Sequence, residues 1–148
     1  MLNIHLATDH AGFALKEQIK SYLLEKGYQV IDHGALKYQS TDDYPDYILP
    51  AAKAVLKDIN SFGLIFGGSG QGEAMQANRL KGIRATVYYG YNSKIPSLSK
   101  QHNNSNILSI GARFVPFKEA IEVIDSWLNT AFEGGRHNSR IQKLDMLT

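Results

Sequence analysis

The feature that most constrains the fold of this chain is a regular alternation of short apolar runs with longer amphipathic segments. The run Leu64-Ile65-Phe66 is continuously apolar, which is typical of a strand buried on both faces of a parallel sheet. Strands that alternate with helices through short connections indicate an α/β fold, in which helices cover both faces of a mostly parallel sheet in three layers. The predicted strands are Asn3–Ala7, Gln29–Asp32, Leu64–Phe66, Arg84–Tyr88 and Ile107–Ile110.

Helical periodicity fills the segments between the predicted strands. Apolar residues recur at helical spacing from Phe13 to Leu23, and Lys26-Gly27 is typical of a helix end. No repeat or linker interrupts the 148 residues, so we expect a single domain. It consists of an α/β core over residues 1–130 and a helical C-terminal extension over residues 131–148. The other predicted helices are Tyr47–Leu56, Gly72–Leu80 and Ala120–Leu128.

The charge balance and the lack of cysteine exclude several functions. The chain has 16 Lys and Arg against 14 Asp and Glu, and this net charge of +2 is too small and too dispersed to indicate nucleic-acid binding. Without cysteine there is no disulfide, thiolate metal site or thiol nucleophile. The N-terminus has no signal-peptide pattern and no apolar run is long enough to span a membrane, so we expect a cytoplasmic protein.

Three polar segments adjoin the predicted strands. Ligands of parallel sheets lie beyond the carboxyl ends of the strands. Thr8-Asp9-His10 follows the first strand, Gly67–Glu73 follows the third, and Gln101–Asn106 precedes the fifth. We expect these three segments to meet at one binding site.

The segment Gly67–Glu73, with the sequence Gly-Gly-Ser-Gly-Gln-Gly-Glu, is the most informative motif. Its glycines permit unusual backbone angles, and its place before a helix leaves N–H groups free for a phosphate, a carboxylate or an oxyanion. A P-loop requires Lys after its last glycine, and a dinucleotide-binding loop requires Gly or Ala where Glu73 or Met75 stands here, so both are excluded. The candidate binding residues of the loop are Gly68, Ser69, Gly70, Gln71 and Gly72.

Glu73 directly follows this loop, which suits a base that abstracts a proton. There, a carboxylate lies beside the point at which negative charge develops. The structural alternative is a tight turn needed for packing, with Glu73 favouring the helix dipole. Two opposing influences act on the Glu73 pKa, because loop dipoles favour the charged form and burial disfavours it.

The remaining candidates also have a functional and a structural interpretation. The segments Asp9-His10 and His102-Asn103 either belong to a site or are ordinary loop residues. On a helix, Arg136 and Arg140 share one face and form either a bidentate phosphate clamp or a solvated basic surface. The acidic segment Asp42–Asp46 has neither calcium-loop spacing nor a nearby histidine pair, so we predict no metal site.

Seven short motifs, in order along nearly the whole chain, give it a specific resemblance to the ribose-5-phosphate isomerase B family, which includes galactose-6-phosphate isomerase subunits. The matching segments are Thr8–Gly12, Asp43–Asp46, Gly67–Glu73, Ala77–Arg79 with Gly82–Ala85, His102–Asn106, Gly111–Arg113 and Phe132–His137.

The resemblance implies a Rossmann-like subunit, a homodimer or dimer of dimers, and interconversion of ribose 5-phosphate and ribulose 5-phosphate without cofactor or metal. Many members carry a cysteine base at the position that matches Gly67. This chain resembles the other branch, in which a glutamate after the loop takes that role, and Glu73 matches that position.

The resemblance also implies roles for the matched residues. His102 would protonate the ring oxygen of the sugar with Asp9 assisting at the anomeric hydroxyl, and Glu73 would then move a proton through an enediolate. Ser69 and the loop N–H groups would stabilise the enediolate oxygen, and Asn103 would contact sugar hydroxyls. Each site would take Glu73 from one subunit and His102 from the other. The phosphate ligands would be His10, Arg113, Arg136 and Arg140, with His137 as an additional candidate.

Two other functions remain open from the sequence. One is an isomerase for a six-carbon sugar phosphate, such as galactose 6-phosphate or allose 6-phosphate, since pocket depth is not readable from sequence. The other is a catalytically silent protein that binds sugar phosphates, against which the intact Glu73 and His102 argue.

Overall fold

The computed structural model describes residues 2–146, so the last two residues of the predicted extension lie outside the described residues. Five parallel strands form one sheet in the order β2-β1-β3-β5-β4. Their bounds are β1 Asn3–Thr8, β2 Gln29–Asp32, β3 Ser61–Gly67, β4 Ala85–Tyr88 and β5 Ile107–Gly111. The α/β prediction is therefore confirmed, and the sheet is entirely parallel over these strands.

Six α-helices flank the sheet. A 3₁₀ turn at His10–Gly12 precedes the first of them. Helices α1, α4 and α5 cover one face, and α2 and α3 cover the other. The helix bounds are α1 Phe13–Glu25, α2 Pro45–Lys57, α3 Gln71–Ala77, α4 Lys94–Asn103, α5 Phe117–Leu128 and α6 His137–Leu144.

The alternation of side chains along β1 and β3 divides the core in two. Leu6 and Phe66 pack with α1 and α5 around the fully buried Trp127, whereas Ala7 and Ile65 face α2 on the other side. Because both faces of β3 are buried, its middle reads as the continuous apolar run Leu64-Ile65-Phe66. This explains why the third strand was recognisable from three residues.

Three helices differ most from the sequence prediction, and one of them, α5, begins at Phe117 rather than Ala120. Helix α4 was not predicted, because its segment is polar and contains Pro96, which the first turn of a helix tolerates. Helix α3 ends at Ala77 rather than Leu80. The side chain of Asn78 there donates to the carbonyl of Ala85 at 3.0 Å and accepts from its N–H at 2.8 Å, which attaches the helix end to β4.

The chain after α5 folds back along α4. The N–H of Glu133 donates to the carbonyl of Gln101 at 3.0 Å, and α6 then packs against α4. At the end of α6 the Asp145 carboxylate accepts the N–H of Gly82 at 3.1 Å. The extension is therefore attached to the core at both of its ends.

Candidate active site

The ends of β1 and β3 lie side by side and bring two of the predicted segments together. Thr8 pairs with Phe66 in the strand register, and its hydroxyl donates to the Phe66 carbonyl at 3.0 Å. Asp9 follows and accepts the N–H of Ala11 at 2.9 Å, which caps the 3₁₀ turn. Gly12 permits this close packing, since a Cβ there would lie 2.4 Å from the Thr8 hydroxyl. We call this end of the sheet the carboxyl edge.

The end of β5 supports the glycine loop. The Ser109 hydroxyl donates to the carbonyl of Gly70 at 2.7 Å, and the N–H of Ala112 donates to the carbonyl of Gly67 at 2.8 Å. Gly70 adopts φ +79°, a left-handed conformation that favours glycine. Within the loop, the Ser69 hydroxyl accepts the N–H of Gln71 at 3.3 Å, and both residues are exposed. The loop is thus held by strands on one side and open to solvent on the other.

The Glu73 carboxyl group lies directly over Gly67. A Cβ built on Gly67 would be 1.8 Å from Glu73 Oε1, so the carboxylate fills the space of a side chain at position 67. Glu73 is only 4% exposed. Burial, followed by the nearby Asp9 carboxylate, raises its pKa, and the N–H groups of Gly70 and Glu73 oppose this only in part. Of the two influences named from the sequence, burial prevails.

His10 is oriented by a carboxylate that the sequence analysis did not single out. Asp42 Oδ1 accepts both the backbone N–H of His10 at 3.0 Å and its Nδ1 at 2.7 Å. This leaves Nε2 of the partly exposed imidazole available for a ligand. The resemblance could have found this residue, because Asp42 immediately precedes the matching segment Asp43–Asp46.

Arg113 and Tyr44 border the glycine loop. The guanidinium of Arg113 lies over Gly68, where a Cβ would be 2.9 Å from its Nη1, and it forms no salt bridge with any residue in 2–146. The Tyr44 ring covers Gly72 in the same way, 2.6 Å from the Cβ position. Tyr44 was matched by motif but given no role. The loop therefore has an unpaired cation on one side and an aromatic wall on the other.

His102 and Asn103 do not lie beyond the carboxyl ends of the strands of their own chain, so the expectation that all three polar segments lie there is wrong for this segment. They end α4 and precede β5, so they lie where the strands begin, which we call the amino edge. Ile107 opens β5 opposite Gly63, and Gly111 closes it opposite Gly67. At about 3.3 Å per residue, β5 alone separates the two edges by roughly 13 Å. A segment that precedes a parallel strand cannot lie at its carboxyl end.

The amino edge gathers the remaining candidates. The imidazoles of His102 and His137 are stacked, with centroids 4.6 Å apart and planes inclined by 15°. Arg136 and Arg140 flank His137 at the start of α6, one turn apart and exposed. Neither arginine forms a salt bridge within the described part of the chain. The structure thus gathers one histidine stack and two free cations at this edge.

Two groups of side chains have candidate metal-ligand atoms that lie within 4.8 Å of one another. In the group Asp9, His10 and Asp42, the hydrogen bond to Asp42 already occupies His10 Nδ1. In the group His102, Glu133 and His137, the near-parallel stacking directs the ring lone pairs along separate planes.

The fold and the site define a class: a Rossmann-like α/β protein with a buried carboxyl group beside a glycine loop at the carboxyl edge of a parallel sheet. Such a site suits proton transfer next to developing negative charge. Among residues 2–146, no helix has the length and apolar character needed to cross a membrane.

Comparison with known proteins identifies the family. The family model described as Ribose/Galactose Isomerase matches residues 4–144, so the chain belongs to that family. It is 39% identical to ribose-5-phosphate isomerase B of Escherichia coli (strain K12), covering 97% of this chain and 95% of that protein. It is also 39% identical to the probable ribose-5-phosphate isomerase B of Mycoplasma pneumoniae, covering 95% and 91%.

Solved structures agree with the sequence comparison. The Thermotoga maritima ribose 5-phosphate isomerase aligns with a TM-score of 0.92 and 41% identity, covering 97% of each chain. Ribose-5-phosphate isomerase B of Mycoplasma genitalium, with bound ribulose-5-phosphate, aligns with a TM-score of 0.93 and 37% identity, covering 99% of this chain and 95% of that one. The resemblance stated from the motifs is confirmed.

Proposed function

We propose that this protein interconverts ribose 5-phosphate and ribulose 5-phosphate, with Glu73 as the base. The observation that carries the proposal is the buried Glu73 carboxyl group, which fills the space over Gly67 beside the glycine loop. Relatives named ribose-5-phosphate isomerase B, and one relative that holds ribulose-5-phosphate, support the choice of substrate.

The chemistry begins with a closed sugar ring. His102 donates a proton to the ring oxygen as Asp9 accepts the proton of the anomeric hydroxyl, which opens the ring to an aldehyde. Glu73 then removes the proton from C2, and the electron pair moves to the carbonyl oxygen to form an enediolate. Glu73 returns the proton to C1, while a proton passes from the C2 oxygen to the C1 oxygen. These steps need neither a redox cofactor nor a metal ion.

The surroundings of Glu73 fit this task. Burial and Asp9 raise its pKa, which makes it a stronger base than an exposed glutamate. The loop N–H groups and the Ser69 hydroxyl face the developing oxyanion, where one good donor contributes about 3–4 kcal/mol. Asn103 binds sugar hydroxyls.

The assembly that fits this chemistry is a homodimer, alone or paired into a dimer of dimers, with shared sites. Glu73 and His102 lie at opposite edges of the sheet, so a second copy must supply the acid. The extension after residue 130 carries Arg136 and Arg140 to the partner's phosphate, which His10 and Arg113 hold from the other side. A two-fold axis forms two such sites. We assign this metal-free enzyme to the cytoplasm.

The experiment is an isomerisation assay with ribose 5-phosphate, allose 6-phosphate and galactose 6-phosphate, each with and without EDTA. We expect conversion of ribose 5-phosphate with the highest kcat/KM and no loss with chelator. A preference for a hexose phosphate would reassign the substrate within the family. Binding without conversion of any of the three would identify a silent binding protein, and EDTA-sensitive activity restored by a divalent ion would contradict the metal-free chemistry.

A further inference from the structure

His137 is a buried histidine in the cationic tail, and its environment is unlike that of its neighbours. It is 4% exposed, whereas Arg136 and Arg140 are exposed and His102 is partly exposed. Its Nε2 has no hydrogen-bond partner among the described residues, and the nearest carboxylate oxygen, on Glu133, is 3.9 Å away. The face of the His137 ring stacks on the His102 ring, with the two centroids 4.6 Å apart.

These surroundings make His137 a poor ligand for a phosphate. Burial lowers its pKa, and the positive charges of Arg136 and Arg140 lower it further, which favours the neutral form of the ring. A neutral, buried imidazole adds no charge to a phosphate clamp. It does provide a flat surface against which the His102 ring lies.

We propose that His137 is a positioning residue that holds the His102 imidazole, by ring stacking, in the orientation needed to protonate the sugar ring oxygen. His102 lies in the last turn of α4, one residue before the helix ends at Asn103. The His137 ring supports its imidazole from α6. The inference rests on the proposed role of His102 as the ring-opening acid.

The stack also connects two parts of the proposed site. Arg136 directly precedes His137 at the start of α6, Arg140 lies one turn further along, and the Glu133–Gln101 backbone hydrogen bond fixes the start of this segment to α4. The acid and the phosphate-binding arginines therefore keep one fixed spacing. In such a unit, a displacement of about 1 Å can cost up to about 100-fold in rate.

The test compares His137→Leu, which removes the flat ring, with His137→Phe, which keeps a flat ring and removes both nitrogens. Ring opening is measured as conversion of ribose 5-phosphate. Proton transfer is measured separately as deuterium incorporation at C1 of ribulose 5-phosphate in D₂O, because this ketose has no free 5-hydroxyl to close a furanose ring. Binding of inorganic phosphate and the melting temperature serve as controls for the clamp and for folding.

We expect His137→Leu to slow conversion of ribose 5-phosphate by at least about tenfold, with deuterium incorporation and phosphate binding within about twofold of the parent. His137→Phe should restore most of the lost conversion. Equal loss in both variants with weakened phosphate binding would make His137 a phosphate ligand and overturn the inference.

His102→Asn separates this inference from the proposed function. It should abolish most ring opening and retain deuterium incorporation. Parental conversion by His102→Asn would overturn the acid role, and the inference with it. Loss in His102→Asn combined with parental conversion in His137→Leu would overturn the inference alone.

Discussion

The two edges of the sheet differ in the partners that they provide for a buried lysine. At the carboxyl edge, the fully buried Lys16 donates to both carboxylate oxygens of Asp32, at 2.9 and 2.8 Å, and to the carbonyl of Ala35 at 2.6 Å. At the amino edge, Lys100 is 3% exposed and meets only the faces of Phe62 and Trp127, 3.3 and 4.6 Å from their centroids. One buried ammonium is fully paired, and the other has no carboxylate partner among residues 2–146.

The same contrast holds for the candidate site residues. At the carboxyl edge His10 is paired with Asp42 and Glu73 is enclosed, whereas at the amino edge Arg136 and Arg140 are exposed without a carboxylate partner in the described chain. Unpaired cations are suited to an anion that the isolated chain does not supply. In the proposed dimer, the carboxyl edge forms one half of a site, and the amino edge completes the site of the partner subunit.

The largest expected effect is at the carboxyl edge. Glu73→Gln removes the base while keeping the shape, so turnover should fall by about 10²–10⁴-fold or more with little change in ligand affinity. The exposed Glu122 on α5 provides the matched control, and Glu122→Gln should behave as the parent. Steady-state kinetics and inhibitor binding measure both. Near-normal turnover of Glu73→Gln would show that the carboxyl edge does not supply the base.

A smaller effect is expected from the exposed arginines of the amino edge. Arg136→Ala and Arg140→Ala should each raise the KM for the phosphorylated substrate by about 10- to 100-fold, the effect of losing a charge-assisted hydrogen bond, with a lesser fall in kcat. Lys143→Ala removes an exposed cation from the end of the same helix and is the control. If inorganic phosphate binds all three variants alike, the arginines form only a solvated surface.

Substitutions of the two buried lysines should change the free energy of unfolding in opposite directions. Lys16→Met leaves Asp32 without its main partner and should cost about 3–5 kcal/mol. Lys100→Met removes an ammonium that has no carboxylate partner and should stabilise the fold by on the order of 1 kcal/mol, since the ring contacts offset part of the desolvation cost. Chemical denaturation measures the free energy of unfolding of both variants. Destabilisation by Lys100→Met would contradict the proposed difference between the two edges.

The pH dependence of Lys100→Met sharpens that contrast. Burial lowers the pKa of Lys100 to about 8 from its ordinary 10.5. Between these two pH values the unfolded chain therefore binds more protons than the folded chain. The contribution of Lys100 to the free energy of unfolding thus rises with pH across that interval. The melting-temperature advantage of Lys100→Met over the parent should be largest below pH 8 and should disappear towards pH 10.5. An advantage that is constant with pH would exclude titration of Lys100 as its cause.

The sequence predicted the strands and the loop well, because both depend on local patterns. Short apolar runs that alternate with amphipathic segments indicated the strands, and the glycine spacing before Glu73 indicated a loop that is neither a P-loop nor a dinucleotide site. Glu73 was a candidate base on the same local grounds.

What the sequence could not provide depended on contacts between distant segments. The pairing of His10 with Asp42 spans 32 positions, and the His102–His137 stack joins two helices, one of which is too polar to be predicted from periodicity. The position of His102 was misjudged for a topological reason. Its segment precedes a parallel strand, so it belongs to the edge opposite Glu73.

The central claim is that two copies of the chain each supply one edge to a shared site, and mixing two inactive variants tests it most directly. Glu73→Gln and His102→Asn are unfolded and refolded together, so that about half of the dimers are mixed. If the edges combine between subunits, each mixed dimer has one site with both lesions and one with neither. Activity then recovers to about a quarter of the parent's. Mixed dimers confirmed by mass spectrometry that show no recovered activity would contradict the shared site.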